Sequence, residues 1–189
     1  MTRSVKINIE VFKSVTKAIS QSEQLDVMTN HLAQLLVASM EIKACAIYVL
    51  EPETRELERI ASFGLSMGYV GKGPIIAEKS IAECMTGTPV IISDTSASER
   101  IQYPDEVRKE GIAAIVSIPI TFSGTVLGTL RLYHGKVWEP AEEDLNSLVL
   151  LAEFVGLAMN YTCLMDAICE INDVISRRIP PRILPDRCG

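Results

Sequence analysis

Residues 126–133, VLGTLRLY, alternate strictly: Val126, Gly128, Leu130 and Leu132 fall on one parity, Leu127, Thr129, Arg131 and Tyr133 on the other. Period-two alternation marks a strand lying between two different environments. A second apolar run precedes it, and a Ser123-Gly124 turn separates the two within GIAAIVSIPITFSGTVLGTLRLY. One face of this strand pair packs on a core. The other presents hydroxyls and a guanidinium, which reads as the floor of a pocket and points to ligand sensing rather than chemistry.

The remaining pattern predicts helices at both ends. Residues 4–19 place Val5, Ile9, Phe12, Thr16 and Ile19 at helical spacing, with Lys6, Lys13 and Lys17 on other faces. A second helix is predicted over 24–40, capped by Ser20 or Ser22, with Leu25, Met28, Leu32, Leu35, Leu36 and Ser39 as its stripe. Residues 43–50 and 57–63 read as an antiparallel hairpin across the polar turn Glu51-Pro52-Glu53-Thr54. Between Gly64 and Gly111 the density of glycine and proline permits only short helices, about 78–86 and 104–110, and a short strand at 89–93. So long an irregular insert is usually a lid or binding segment. The last helix starts at Trp138-Glu139-Pro140, where Glu142, Glu143 and Asp144 suit its positive dipole end. It is apolar on most sides from Leu145 to Met165, continues to about Ser176, and stops before Pro180-Pro181. The expected organisation is an N-terminal helix (1–22), a central domain (23–162), an extension of the last helix (163–178) and an irregular tail (179–189).

Composition narrows the function. With 189 residues, 48% hydrophobic, the chain affords one domain with a proper core. A formal charge of −6 argues against nucleic-acid or anionic-membrane binding, which relies on cations neutralising phosphates. The locally basic piece, Arg177, Arg178, Arg182 and Arg187, reads as a solvated terminus. Five cysteines without a CxxC pair suggest neither a disulfide framework nor a zinc site, so a reducing cytoplasm is expected. The N-terminus lacks a signal-peptide core, and the richest apolar helix, interrupted by Glu153 and Asn160, is not expected to span a membrane.

Over residues 23–162 the chain resembles the GAF family of signalling domains. The segments that carry the resemblance are ASFGLS (61–66), KGPI with SIAE (72–83), TGTPVIISDTS (86–96), EGIAAIVSIPI (110–120), VLGTLRLY (126–133) and EDLNSLVLLAEFVGLAMN (143–160). The resemblance implies an α+β fold: an antiparallel sheet of five to six strands, terminal helices on one face, and a small-molecule pocket on the other under the 64–111 insert. Val116, Ile118, Leu130 and Leu132 then face the helices. Ser117, Thr129, Arg131 and Tyr133 face the pocket, joined by Tyr48 from the neighbouring hairpin.

The motifs of the specialised branches are missing. The free methionine sulfoxide reductases of the family place cysteines where this chain has Gly71-Lys72-Gly73-Pro74-Ile75 and Glu110-Gly111-Ile112-Ala113. Cys84 reads as a buried small hydrophobe. The NKFDE motif of cyclic-nucleotide binders is absent, with IQYPDE at 101–106, and Cys84-Met85 does not match the bilin-attachment settings. A non-enzymatic domain is expected.

Arg131 has two readings: an anchor for a ligand carboxylate or phosphate, or an internal ion pair with Asp94, Glu78 or Glu83 that clips the insert to the sheet. Asp94 itself reads as a turn cap as readily as a ligand contact. Phe63, Tyr69, Tyr103 and Tyr133 either line a cavity for a flat ligand or supply the aromatic share of the core. GYVGKGP lacks the spacing of a phosphate loop and reads as a lid edge. His31, His134, Cys163 and Cys169 do not converge, so no metal and no cofactor are expected. His31 reads as a helix-surface or core residue. Apolar residues cover more of 145–175 than one sheet needs, which predicts a homodimer through a bundle of residues 4–20 and 145–176; the alternative is a monomer whose first helix hides that surface. The leading reading is a cytoplasmic sensor of a small molecule, for which an anion suits Arg131, with output to a separate effector or to the rest of a longer chain. The rival is a structural interaction module whose pocket is filled by its own side chains.

Overall fold

The computed structural model describes residue 7, residues 9–21 and residues 25–178. The predicted tail (179–189), the double proline, the Ser22 cap and the first turn of the 4–19 helix lie outside the described residues.

Two helices open the chain, α1 (Ile9–Gln21) and α2 (Leu25–Met40). The hairpin β1 (Ala44–Leu50) and β2 (Glu56–Phe63) follows. The insert contains α3 (Met67–Val70), β3 (Ile75–Ile76), α4 (Ala77–Ile81), a 3₁₀ turn at Ala82–Thr86, β4 (Val90–Ile92), a second 3₁₀ turn at Thr95–Ala97, and α5 (Pro104–Glu110). The chain closes with β5 (Ala114–Phe122), β6 (Thr125–His134) and the long α6 (Glu142–Arg178). The sheet has six strands in the order β3-β2-β1-β6-β5-β4, antiparallel throughout. β5 and β6 are joined by Ser123-Gly124, both with positive φ (49° and 78°), the backbone of a two-residue turn whose twist matches a hairpin.

The two sheet faces differ as the alternation predicts. Val116, Ile118, Ile120, Leu130 and Leu132 bury themselves against α2 and α6 in one cluster with Leu32, Leu36, Leu148, Leu151 and Val155. Each such side chain removed from water contributes about 1.5–3 kcal/mol, so this layer dominates stability. On the opposite face Ala44, Ala46, Tyr48, Ile115 and Tyr133 form a second cluster with Tyr69, Ile75, Ile92 and Val107 from the insert.

Several expectations need correction. The strict parity of β6 fails at Leu127: Ile120 pairs with Gly128 but Thr121 with Val126, and the side chain of this extra residue packs with the helical cluster. The predicted α1 stripe is displaced, since Ile9 is 67% exposed, while Ile7 and Val15 are buried with Val11 and Phe12 packed beside them. The predicted 78–86 helix is α4 followed by a 3₁₀ turn, and β3 and α3 were too short to show a period. Pro140 precedes α6 rather than opening it. Asp144 does more than complement the dipole: buried, it accepts the Ile7 backbone N–H at 2.9 Å. The stretch Glu142–Val174, expected to be too interrupted to span a bilayer, is long and apolar enough to do so by length and composition. Its apolarity is divided between a face packed against β5 and an exposed face described below.

Candidate functional site

The site is built on the insert-facing side of β1 and β6. Arg131 lies opposite Ala46 and Ser117 in the ladders, and Tyr133 opposite Ala44. The two alanines leave room for the guanidinium and the phenol above the sheet. Arg131 is buried, its Nε donates to Ser117 Oγ at 3.1 Å, its charge acts on the Tyr133 phenol, and its guanidinium carbon stands 5.9 Å from the Tyr48 ring centre. The Tyr48 and Tyr133 hydroxyls meet at 3.2 Å, and Tyr69 meets Tyr133 edge to face with ring centres 5.9 Å apart. Burial pushes all three phenols up from their ordinary value, so they remain protonated donors.

The proposed carboxylate clips for Arg131 are engaged elsewhere. Glu78 pairs with Arg55 at 2.7 Å and Glu83 with Arg100 at 2.7 Å, both on the surface. Asp94 caps the second 3₁₀ turn, accepting the Ser96 N–H at 2.9 Å and its hydroxyl at 2.7 Å. What ties the insert down is Glu110, which accepts from the Ser66 backbone N–H and hydroxyl and stands 3.8 Å from Lys43 Nζ. Gln102 and Tyr103 stitch the roof at Pro74: Gln102 Nε2 donates to the Pro74 carbonyl at 3.1 Å and Tyr103 Oη at 2.7 Å.

A hollow lies beneath this roof, bounded by Arg131 and Ile115 below and by Tyr69, Lys72, Gln102, Tyr103 and Val107 above, with a volume of about 20 Å³. That is room for about one water. A second hollow of about 230 Å³ adjoins it across Lys72 and Ile75, floored by Tyr48 and edged by Arg59, Gly73 and Pro74.

Of the residues singled out in the sequence, Tyr69, Tyr103 and Arg131 line the smaller hollow and Tyr48 the larger. Ser117 holds Arg131 through its hydroxyl, and Tyr133 is buried beside it with its own hydroxyl on that of Tyr48. Thr129 lies under the first 3₁₀ turn, its hydroxyl donating to the Ile118 carbonyl at 3.1 Å and standing 3.6 Å from Cys84 Sγ. Phe63 is 45% exposed and Asp94 lies at a surface turn, and neither lines these two hollows. Lys72 and Arg59 went unread. Arg59 shares parity with Leu57, and the hairpin register sets it against Tyr48; that alternation was the available signal. Lys72 sits in a loop, where no period exists.

Lys72 Nζ stands 3.7 Å above the Tyr69 ring and donates to the Tyr69 carbonyl at 3.2 Å. Burial first, then the charges of Arg131 and Arg59, pull its ammonium down to about 8, against the opposing pull of Glu110. The folded-state value is below the unfolded one, so between about pH 8 and 10.5 the unfolded chain keeps a proton the folded chain has lost, and stability rises with pH across that window. Lys72→Met removes the dependence. Wild type is expected to gain about 1 kcal/mol on this variant from pH 8 to 10.5, partial exposure screening the rest; urea midpoints across the window would refute this if the difference stayed flat.

Among the described residues no group of three or more metal-ligating side chains converges, and Cys45, Cys84 and Cys163 are free thiols. His31 is exposed on α2. Cys84 is buried, and burial pushes its thiol up despite the Thr129 contact, which disfavours the thiolate that cysteine chemistry needs.

Comparison with known proteins places this arrangement. The GAF domain family model matches residues 23–159. The chain belongs to the GAF family. GAF domains are in general sensor and regulatory modules, typically soluble parts of cytoplasmic proteins. No curated protein sequence matches the chain. Similar solved structures include the GAF domain of a phosphoenolpyruvate-protein phosphotransferase from Coxiella burnetii, with TM-score 0.77 and 19% identity, covering 87% of this chain and 99% of that one. The free methionine-R-sulfoxide reductase of Neisseria meningitidis, solved with its substrate, gives TM-score 0.74 at 13% identity over 87% of this chain and 95% of that one. A phycocyanobilin-bound GAF domain of a cyanobacterial phytochrome gives 0.68 at 15% identity over 84% and 97%. At these identities the likeness establishes the GAF fold.

Proposed function

We propose that this GAF domain is a non-enzymatic, cytoplasmic signalling sensor that takes a small molecule between the sheet and the 64–111 insert and passes its occupancy to the terminal helices. The observation that carries the reading is Arg131, buried on the insert side of the sheet, bonded to Ser117 and lining the inner hollow. A ligand that draws the roof onto the sheet shifts the helices behind it if it prefers one of their arrangements. A thermal-shift screen of metabolites on wild type and Arg131→Ala tests this, together with native mass spectrometry of freshly purified protein. A compound that raises the melting temperature of wild type and not of the variant is expected. No such compound, with the variant merely less stable, leaves the rival reading of an interaction module, which the 20 Å³ volume of the inner hollow favours.

The same proposal includes a homodimer. Along α6, Leu150, Phe154, Leu157, Tyr161, Leu164, Ile168 and Ile171 follow steps of four and three, the spacing of a coiled-coil seam. Leu157, Tyr161, Leu164 and Ile171 are each more than half exposed. The first helix does not cover them; it packs on α2 and the core through Phe12 and Val15. A second copy of α6 presents the complementary face, and a separate effector would read the bundle.

A further inference from the structure

The two hollows share Lys72 and Ile75, and neither is lined by a carboxylate. Between them they hold Arg59, Lys72 and Arg131, in a chain with 24 acidic and 18 basic residues. Like charges gathered this closely repel unless an anion joins them. Among the described residues the partners of the two outer cations are neutral: Arg59 Nη1 donates to Ser62 Oγ at 3.0 Å, and Lys72 rests on the carbonyl and ring of Tyr69. Among the described residues no carboxylate comes within 4.0 Å of either cation. Both contacts are weaker than a charge-assisted bond to a carboxylate or phosphate oxygen, so an entering anion can displace them.

We propose that the joined hollows bind a small dianion, a phosphate or a short dicarboxylate, gripped between Arg59 and Lys72 over the Tyr48 ring, with Arg131 as the third positive charge behind it. This rests on the sensor reading and names its ligand class. The volume agrees: about 230 Å³ falls below the roughly 300–1,000 Å³ of drug-sized sites and suits a small metabolite. Lys72 forms the wall between the hollows, so turning its ammonium from Tyr69 toward the ligand would open one onto the other. The Lys72 loop would then couple occupancy to the roof.

Protonation supplies a second signature. The groups acting on Lys72 come from several elements: Arg59 on β2, Tyr69 on α3, Glu110 on α5 and Arg131 on β6. With the ammonium held near 8 in the free protein, an anion that needs it charged must bring a proton with it above that pH. Affinity is expected to fall about tenfold from pH 7.5 to pH 9, a range in which the carboxylates of succinate are already ionised and phosphate only gains negative charge, so the anion's own titration cannot produce the fall.

Isothermal titration calorimetry on the whole chain tests this, with inorganic phosphate in one arm and succinate in another, each against sodium chloride of equal ionic strength. One arm is expected to give saturable 1:1 binding, and which arm does so identifies the anion chemistry. Lys72→Met and Arg59→Gln are each expected to weaken it at least about tenfold. Arg100→Gln, which removes only the surface pair with Glu83, is expected to leave it unchanged. A melting transition confirms that each variant is folded. Binding no better than chloride in both arms, or undiminished in both site variants, overturns the proposal. A third arm with uncharged and cationic metabolites separates it from the sensor reading: a neutral compound that stabilises wild type but not Arg131→Ala overturns the dianion and leaves the sensor intact, whereas silence in all arms overturns both.

Discussion

Gly156→Ala is expected to destabilise the domain by about 2 kcal/mol or more, although alanine is the better helix former by about 1 kcal/mol. Gly156 is where α6 crosses β5. A Cβ there would stand 2.2 Å from the Thr121 carbonyl oxygen, 2.9 Å from its carbon and 3.4 Å from Ile120 Cγ2. The first two are backbone atoms of a strand laddered to β6, so they cannot swing aside as a side-chain tip would. The helix must lift, and it takes with it Leu148, Leu151, Ala152, Val155 and Met159, the residues that close the core over the sheet. Because propensity and packing predict opposite signs, the measurement is decisive. The urea midpoint should drop by roughly 1 M at an ordinary denaturant slope; a midpoint equal to or above wild type would mean that α6 does not lie against Thr121.

Leu164→Asp is expected to weaken the proposed dimer at least about a hundredfold while leaving the domain folded. Leu164 is 55% exposed and lies midway along the exposed run, with Tyr161 and Ile168 on either side. In a two-fold pair the substitution places two carboxylates in the seam at once, which adds repulsion to lost apolar burial. Asp166 and Asp173 lie off that seam, and Asp166→Ala serves as a control expected to change nothing. Sedimentation velocity reads both variants against wild type. A wild-type chain that sediments only as a monomer at micromolar concentration would remove the second copy from the account.

These two substitutions also show how differently the parts of the molecule were legible. The heptad-like run of α6 and the two apolar faces of that helix can be read along one element, because helical periodicity reports which side chains share a side. The residue that must be glycine cannot. Nothing within α6 shows that position 156 meets a carbonyl of a strand more than thirty residues earlier.

The pocket face divides in the same way. Alternation in β6 placed Arg131 and Tyr133 opposite the helices, and the paired pattern of β5 placed Ser117 with them, since a strand has only two sides. It erred at Leu127, where an extra residue breaks the count, and such a break depends on the partner strand. The ion pairs considered for Arg131 failed for a related reason. Glu78, Glu83 and Asp94 were candidates by charge alone, and their actual partners, Arg55, Arg100 and Ser96, follow from where the short insert elements come to rest.

By itself the sequence determined the amphipathic helices, the hairpins and the two unlike sides of the sheet, because periodicity and turn chemistry are local properties carried by consecutive residues, while the GAF topology and the helical backing came from the resemblance of whole segments to that family. Only the tertiary structure decided that Lys72 rests on Tyr69 between two hollows, that Arg59 faces Tyr48, and that α6 touches β5 at Gly156. Those are meetings between distant segments, fixed by strand register and by the path of the insert, and no local pattern encodes them.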